Sequence, residues 1–202
     1  MGVRSWVIGI TGGLACGKSE VGKIFEDEGW AVCDTDQLAR DLLKSGNTEF
    51  KQVIRAFGSE MVGPDGEVDR QILGNRIFKN SDDRNALNAI LHPPILRKVQ
   101  KWLQKQALNK QKAAVIIPLL YEIDATKGWD AILCVAASEE VVMERLKKRG
   151  LSEQESRERL AAQWSLAEKI KRADYVIHND GSRSELMQET KKICAQILRK
   201  ES

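Results

Sequence analysis

The sequence lacks a long hydrophobic run. Its longest early apolar stretch, Trp6 to Ile10, is far shorter than the roughly 20 residues of a spanning helix and too short for the apolar region of a signal peptide. Trp6 also stands where an N-myristoylation motif needs Ser or Thr. The expectation is a cytoplasmic protein with no membrane partner. Charge of one sign is scarce as well: 32 Lys and Arg face 29 Asp and Glu, a net charge of +3. No overall positive field is available to hold nucleic acid, and any anion site must be local. Cysteine is sparse. Cys16, Cys33, Cys134 and Cys194 lie far apart, without a C-x-x-C pair or zinc-ligand spacing to His92 or His178, so reduced thiols are the simplest account. The chain has no internal repeat and no low-complexity segment.

What is present suits one packed domain. Hydrophobic residues make up 42% and charged residues 30% of 202 residues, enough for one good core and short for two independent domains. Five short apolar stretches alternate with helical patterns: Trp6 to Ile10, Trp30 to Cys33, Ala113 to Pro118, Ala131 to Val135 and Tyr175 to Ile177. Several are apolar on both pleat faces, as strands covered from both sides require. The predicted class is α/β, a parallel sheet with helices on both faces.

Helical spacing predicts apolar stripes of Val21, Ile24 and Phe25; of Leu96, Val99 and Leu103 after Pro93-Pro94; and of Leu186, Thr190, Ile193 and Ile197. Ser152 with Glu155 and Ser182 with Glu185 form capping-box patterns that predict the starts of the last two long helices. Roughly 75 to 80 residues separate the second and third strands, far beyond a crossover of about a dozen. An inserted helical subdomain is expected there, punctuated by the turn Gly63-Pro64-Asp65-Gly66 and a break at Leu91-His92-Pro93-Pro94. A second excursion, 139–171, is charged and helical, with Arg145, Lys148, Arg149, Arg157 and Arg159 in it.

The segment Gly12-Gly13-Leu14-Ala15-Cys16-Gly17-Lys18-Ser19 fits G-x-x-x-x-G-K-[ST], between an apolar strand and an amphipathic helix. Gly12 and Gly17 allow backbone shapes that turn N–H groups toward phosphate oxygens, and the helix beginning near Lys18 adds its positive dipole end. Lys18 is expected to reach the β- and γ-phosphates of ATP, and the Ser19 hydroxyl to ligate Mg²⁺. Phosphate binding alone does not separate a kinase from a GTPase or a motor ATPase.

Asp34-Thr35-Asp36 follows the second strand, at the carboxyl edge where open α/β sheets place ligands. A carboxylate there can take a hydroxyl proton or hold Mg²⁺ through water, and alternate residues point opposite ways. Spacing leaves open which of the two serves, and either one can instead cap the helix that follows. No Asn-Lys-x-Asp segment reads guanine, and the third strand runs into Pro118-Leu119-Leu120-Tyr121-Glu122 rather than an apolar run ending in Asp. Arg145 and Arg149, four apart, share a helical face as in a phosphate-clamping lid, or simply a solvated one.

Taken together, these residues resemble the dephospho-coenzyme A kinase family from Ile8 to Ser182. The resemblance rests on Ile10-Thr11-Gly12-Gly13, Asp34-Thr35-Asp36 with Ala39-Arg40, Leu91-His92-Pro93, Pro118 to Glu122, Arg159 to Gln163, and Ala173-Asp174-Tyr175-Val176-Ile177 with Asn179 and Gly181. It implies a P-loop core with a five-stranded parallel sheet (1–45, 110–138 and 172–202), a helical acceptor-binding insertion (46–109) and a helical lid (139–171). It further implies transfer of the ATP γ-phosphate to the ribose 3′-hydroxyl of dephospho-CoA with Mg²⁺, by a monomer or small homo-oligomer.

By position, the resemblance makes Asp36 the candidate for the base or for the group that orients the attacking hydroxyl. Asp34, Arg40, His92 and Glu122 surround the acceptor or support the shell around it, Arg149 comes from the lid toward the phosphates, and Asn179 contacts the nucleotide base. On spacing alone, His92 before Pro-Pro packs or caps a helix start, and Glu122 sits as a solvated helix-start residue. Cys16 departs from the Ser usual in the family, Thr35 from Ala, and His178 from an acidic residue. A thiol beside Lys18 at a helix start is expected either to have a lowered pKa and be oxidisable, or to be a small tolerated replacement. Competing functions are another small-molecule kinase, of the nucleoside-monophosphate or shikimate type, and a non-catalytic ATP-binding module. The intact Lys18, Ser19 and Asp36 count against the module.

Overall fold

Quartets such as Ala-Val-Ile-Ile carry no polar side chain for either pleat face, so they are stable only in the middle of a covered sheet. The computed structural model, which describes residues 6–199, gives them that place. Val7–Gly12 (β1), Ala31–Asp34 (β2), Ala113–Ile116 (β3), Ala131–Ala136 (β4) and Tyr175–His178 (β5) form one sheet in the order β2-β3-β1-β4-β5. Every pairing is parallel. The chain moves from β1 outward to one side and later crosses to the other, which opens a crevice at the carboxyl end of β1.

The two faces of β1 alternate. Ile8 and Ile10 point to a core shared with Val21, Ile24 and Phe25 of Lys18–Asp27 (α1), Val142 and Leu146 of Glu139–Lys148 (α6), and Ile193 and Ile197 of Arg183–Arg199 (α9). Gly9 points the other way, where a Cβ would come 2.9 Å from Leu120 and 3.3 Å from the Trp129 ring. Helix and loop thus press on both sides of a strand only six residues long.

The span between β2 and β3 is helical, as expected. It holds Thr35–Leu42 (α2), Thr48–Phe57 (α3), a short 3₁₀ turn, Arg70–Lys79 (α4) and Ser81–Leu108 (α5). The chain divides into two compact units, one from its start to Asp34 together with everything from Trp102 onward, the other Thr35–Lys101. The second unit buries Val53, Phe57, Met61, Leu73 and Leu87. Its predicted turn closes through Gly66 N–H to the Gly63 carbonyl (3.0 Å), beside an antiparallel bridge of Val62 to Val68.

Three local expectations are corrected. Pro93 and Pro94 do not break the chain: α5 runs through them for 28 residues. Leu87, Leu91, Ile95 and Val99 recur every fourth residue and are all buried, and this continuous stripe outweighs the hydrogen bonds that two prolines remove. Leu96, placed in the stripe by its spacing from Val99, is instead 40% exposed. The Ser152 capping box forms, but its helix, Glu153–Ala161 (α7), has nine residues and is not long. The chain restarts under a second cap, Ser165, into Leu166–Arg172 (α8). The Ser182 box does open a long helix, with Ser182 N–H on Glu185 (2.7 Å) and Glu185 N–H on the Ser182 hydroxyl (3.2 Å).

Candidate active site

Side chains of Asp69, Ser138, Ser152 and Ser165 cap α4, α6, α7 and α8, whereas α1 begins at Gly17 with no side-chain cap, as α3 does at Asn47. An N-terminus arranged this way favours an anion from outside the chain. The loop that leads into it is held by backbone shape. Gly12 has φ 143 and Gly17 φ 99; a Cβ on the first would run into the Val135 carbonyl oxygen and one on the second into the Asn179 amide. Between them Ala15 also has positive φ, at 57.

The Lys18 ammonium lies over the loop, donating to the carbonyls of Gly13 (2.7 Å) and Gly12 (3.2 Å). Ser19 is exposed on the first turn of α1. The Asn179 amide is buried and donates to the Cys16 carbonyl at 2.8 Å. Arg145 donates to the carbonyls of Ala15 (3.2 Å) and Asn179 (2.8 Å). The loop is therefore braced from β5 by Asn179 and from α6 by Arg145. Of the two arginines spaced for one helical face, Arg145 packs on the loop while Arg149 is exposed at the end of α6. A cavity of about 330 Å³ opens beside Gly13 and Leu14, walled by Val142, Leu160, Trp164 and Leu166.

Cys16 departs from one of its two expectations. Burial pushes its thiol up, and this outweighs the lowering by Lys18 and by backbone donors. A buried neutral thiol is an inert one, so the oxidisable reading is corrected. Cys33, Cys134 and Cys194 are also buried and free.

Asp34 ends β2 in register with Ile116, which is itself in register with Ile10, so it stands about 10 Å across the sheet edge from β1. Asp36 is exposed in the first turn of α2, in the second unit. In that unit Arg40 donates to the Gln37 side chain at 2.7 and 2.9 Å. His92 is half-buried inside α5 rather than at a helix start, and burial lowers its pKa.

Glu122 is not solvated. Its Oε1 accepts from Lys169 Nζ at 2.7 Å and from Trp164 N–H at 2.9 Å, and its Oε2 is buried without a hydrogen-bond partner. Lys169 is fully buried and also donates to the Pro118 carbonyl at 2.9 Å. Sequence reasoning missed Lys169, because within the charged run Glu168 to Arg172 nothing in residue type sets it apart. Trp164 stacks on Tyr121 with centroids 6.0 Å apart.

Among the described residues no group of three or more His, Cys, Asp or Glu could hold a metal. Mg²⁺ on a nucleotide keeps waters and phosphate oxygens and needs only one or two protein oxygens. An exposed Ser19 hydroxyl and a carboxylate at the sheet edge meet that requirement.

The family model for dephospho-CoA kinase matches residues 6–185. The chain belongs to the dephospho-CoA kinase family. Among curated members, dephospho-CoA kinase of Geobacillus kaustophilus is 42% identical over 182 residues, 88% of this chain and 90% of that one. The Arabidopsis thaliana member is 40% identical over 195 residues, 96% of this chain and 84% of its own. The solved dephospho-CoA kinase from Campylobacter jejuni is 25% identical, covers 97% of this chain and 98% of its own, and superimposes with a TM-score of 0.66. The chain is thus an ATP-dependent kinase that transfers phosphate to a hydroxyl, on a P-loop fold. Among the described residues no helix is long and apolar enough to cross a membrane.

Proposed function

We propose that this dephospho-CoA kinase moves the ATP γ-phosphate to the ribose 3′-hydroxyl of dephospho-CoA, at the carboxyl end of β1, with each site residue in a definite role. The observation that carries the reading is the braced loop Gly12 to Ser19, with its lysine directed over it and the adjoining helix start left without a side-chain cap. Lys18 exchanges the Gly12 and Gly13 carbonyls for β- and γ-phosphate oxygens and stabilises the charge that builds there. Ser19, with Asp34 at the sheet edge, would hold Mg²⁺, which when bound would supply positive charge against the phosphates. Asp36 takes the proton of the acceptor hydroxyl. The hydroxyl oxygen bonds to the γ-phosphorus as the bond to the β-phosphate bridging oxygen breaks, and that electron pair leaves with ADP.

In this reading Arg40 and His92 lie around the acceptor, which occupies the insertion 46–109, and 139–171 closes as a lid that brings Arg149 to the phosphates. Asn179 serves the nucleotide by bracing the loop through its amide on the Cys16 carbonyl. The enzyme works in the cytoplasm, as a monomer or small homo-oligomer, where four buried free thiols stay reduced. A coupled ADP-release assay offering dephospho-CoA, AMP, CMP, adenosine and shikimate separately tests the reading. Selective turnover of dephospho-CoA is expected. Preferred turnover of AMP, CMP or shikimate would replace the acceptor, and nucleotide binding without any turnover would mark a binding module.

A further inference from the structure

One buried ammonium joins three segments of the first unit. Lys169, on α8, is fully buried and donates to Glu122 Oε1 (2.7 Å) and to the Pro118 carbonyl (2.9 Å), both in the loop after β3. The same Pro118 carbonyl accepts from the hydroxyl of Thr11 at 3.3 Å, and Thr11, itself fully buried, is the residue before Gly12. The same Glu122 oxygen accepts from Trp164 N–H at 2.9 Å, which captures the turn between α7 and α8. At the start of α8, Leu166 stands beside Gly13, 3.6 Å from where a Cβ would be. The ammonium therefore relates the end of β1, the loop that follows β3, and the segment that leans on the phosphate loop.

Stability alone does not account for such a group. A buried ion pair is commonly replaced by apolar side chains of similar volume with no loss, and sometimes with a gain. Here the carboxylate even leaves Glu122 Oε2 buried and without a hydrogen bond, a cost that native folds tolerate mainly where function needs the geometry. What charge supplies and packing does not is direction: an ammonium fixes a carbonyl and a carboxylate at set distances and angles. We propose that Lys169, acting through Pro118 and Glu122, is a positioning residue for phosphoryl transfer, setting the loop after β3 against the entry of the phosphate loop. The proposal rests on the kinase reading and extends it to a residue outside the phosphate loop. It also gives Glu122 a supporting role in the loop after β3, with Oε1 taken by Lys169 and Trp164 rather than by substrate.

The test compares wild type with Lys169→Met, Glu122→Gln, the double variant, and Ile197→Ala, a core truncation in α9 that serves as a stability control. Melting temperature is measured for each, and kcat and KM for ATP and dephospho-CoA are measured well below the lowest melting temperature. Lys169→Met and the double variant are expected to lose on the order of 10- to 100-fold in kcat, as small misplacements of reacting groups do. Both KM values should stay within about threefold, since the affected interaction is made in the transition state. The double variant, with no uncompensated charge, should melt above Lys169→Met yet remain slow, while Ile197→Ala melts low and keeps its kcat. If Lys169→Met fails to fold, the double variant carries the same prediction. Wild-type kcat in the double variant, or a kcat that simply follows melting temperature through Ile197→Ala, would overturn the positioning role. A wild type that releases no ADP with dephospho-CoA would sink the kinase reading itself, and this proposal with it.

Discussion

Lys18 is held by two carbonyl oxygens of its own loop, and in the proposed reading it exchanges them for phosphate oxygens. Removing it takes away charge stabilisation while leaving the hydrophobic core untouched. Lys18→Ala is expected to lower kcat by about 10²- to 10³-fold, the usual cost of one preorganised electrostatic group, with little change in melting temperature. Asp36→Asn keeps size and hydrogen-bonding shape but removes the proposed proton acceptor, so a comparable fall is expected. Steady-state kinetics on both variants, with far-ultraviolet circular dichroism as a check on folding, decide the matter. An Asp36→Asn enzyme with near-normal turnover would move the base to another residue, Asp34 first among them.

At the scale of elements, α9 depends on how it starts. Ser182 and Glu185 satisfy one another's backbone N–H groups, and the helix then buries Leu186, Thr190, Ile193, Cys194 and Ile197. Ser182→Ala removes the acceptor for the Glu185 N–H and should destabilise the protein by about 1 kcal/mol, read from the urea midpoint at unchanged slope. Activity should be unaltered, because the variant weakens a helix end without touching the phosphate loop. The contrast with Asn179 is instructive, since that residue follows β5 by one position and its amide is spent on the Cys16 carbonyl. Capping and bracing look alike in sequence, both being short polar side chains beside a helix or strand end. Only the partner tells them apart.

At the scale of the whole molecule, buried titratable groups limit the pH range of stability. Burial raises Cys33 and Cys134 from 9.0 to about 11 and Cys194 to about 12. A thiol whose pKa is raised by folding holds its proton more tightly in the folded state, so its contribution is complete below about pH 9. That contribution is lost as pH rises through 9 toward the folded values. His92 runs the other way: burial lowers its pKa, the unfolded state takes up the proton first, and stability falls as pH drops below about 6.5. Chemical denaturation from pH 5 to 11 should therefore show a plateau near neutrality with a decline on both sides. Replacing Cys134 by Ala should flatten part of the alkaline decline, and a decline that is unchanged would show that other groups cause it.

The sequence by itself determined the sheet, the phosphate loop and the family, because each is written locally. Strand-length apolar runs, a glycine-spaced loop before a lysine, and capping boxes are short-range patterns whose physics depends on neighbours in the chain. Tertiary structure alone decided that α5 continues through Pro93 and Pro94, since the stripe Leu87, Leu91, Ile95 and Val99 gains its value only when something covers it. The same holds for Cys16, where burial overrides the nearby positive charge. It holds too for Lys169 and Glu122, 47 positions apart by their numbers in the chain. Their contact is set by how α8 lies on the sheet, and no spacing rule records which charged residue of a helix will be turned inward, because that choice is made by long-range packing.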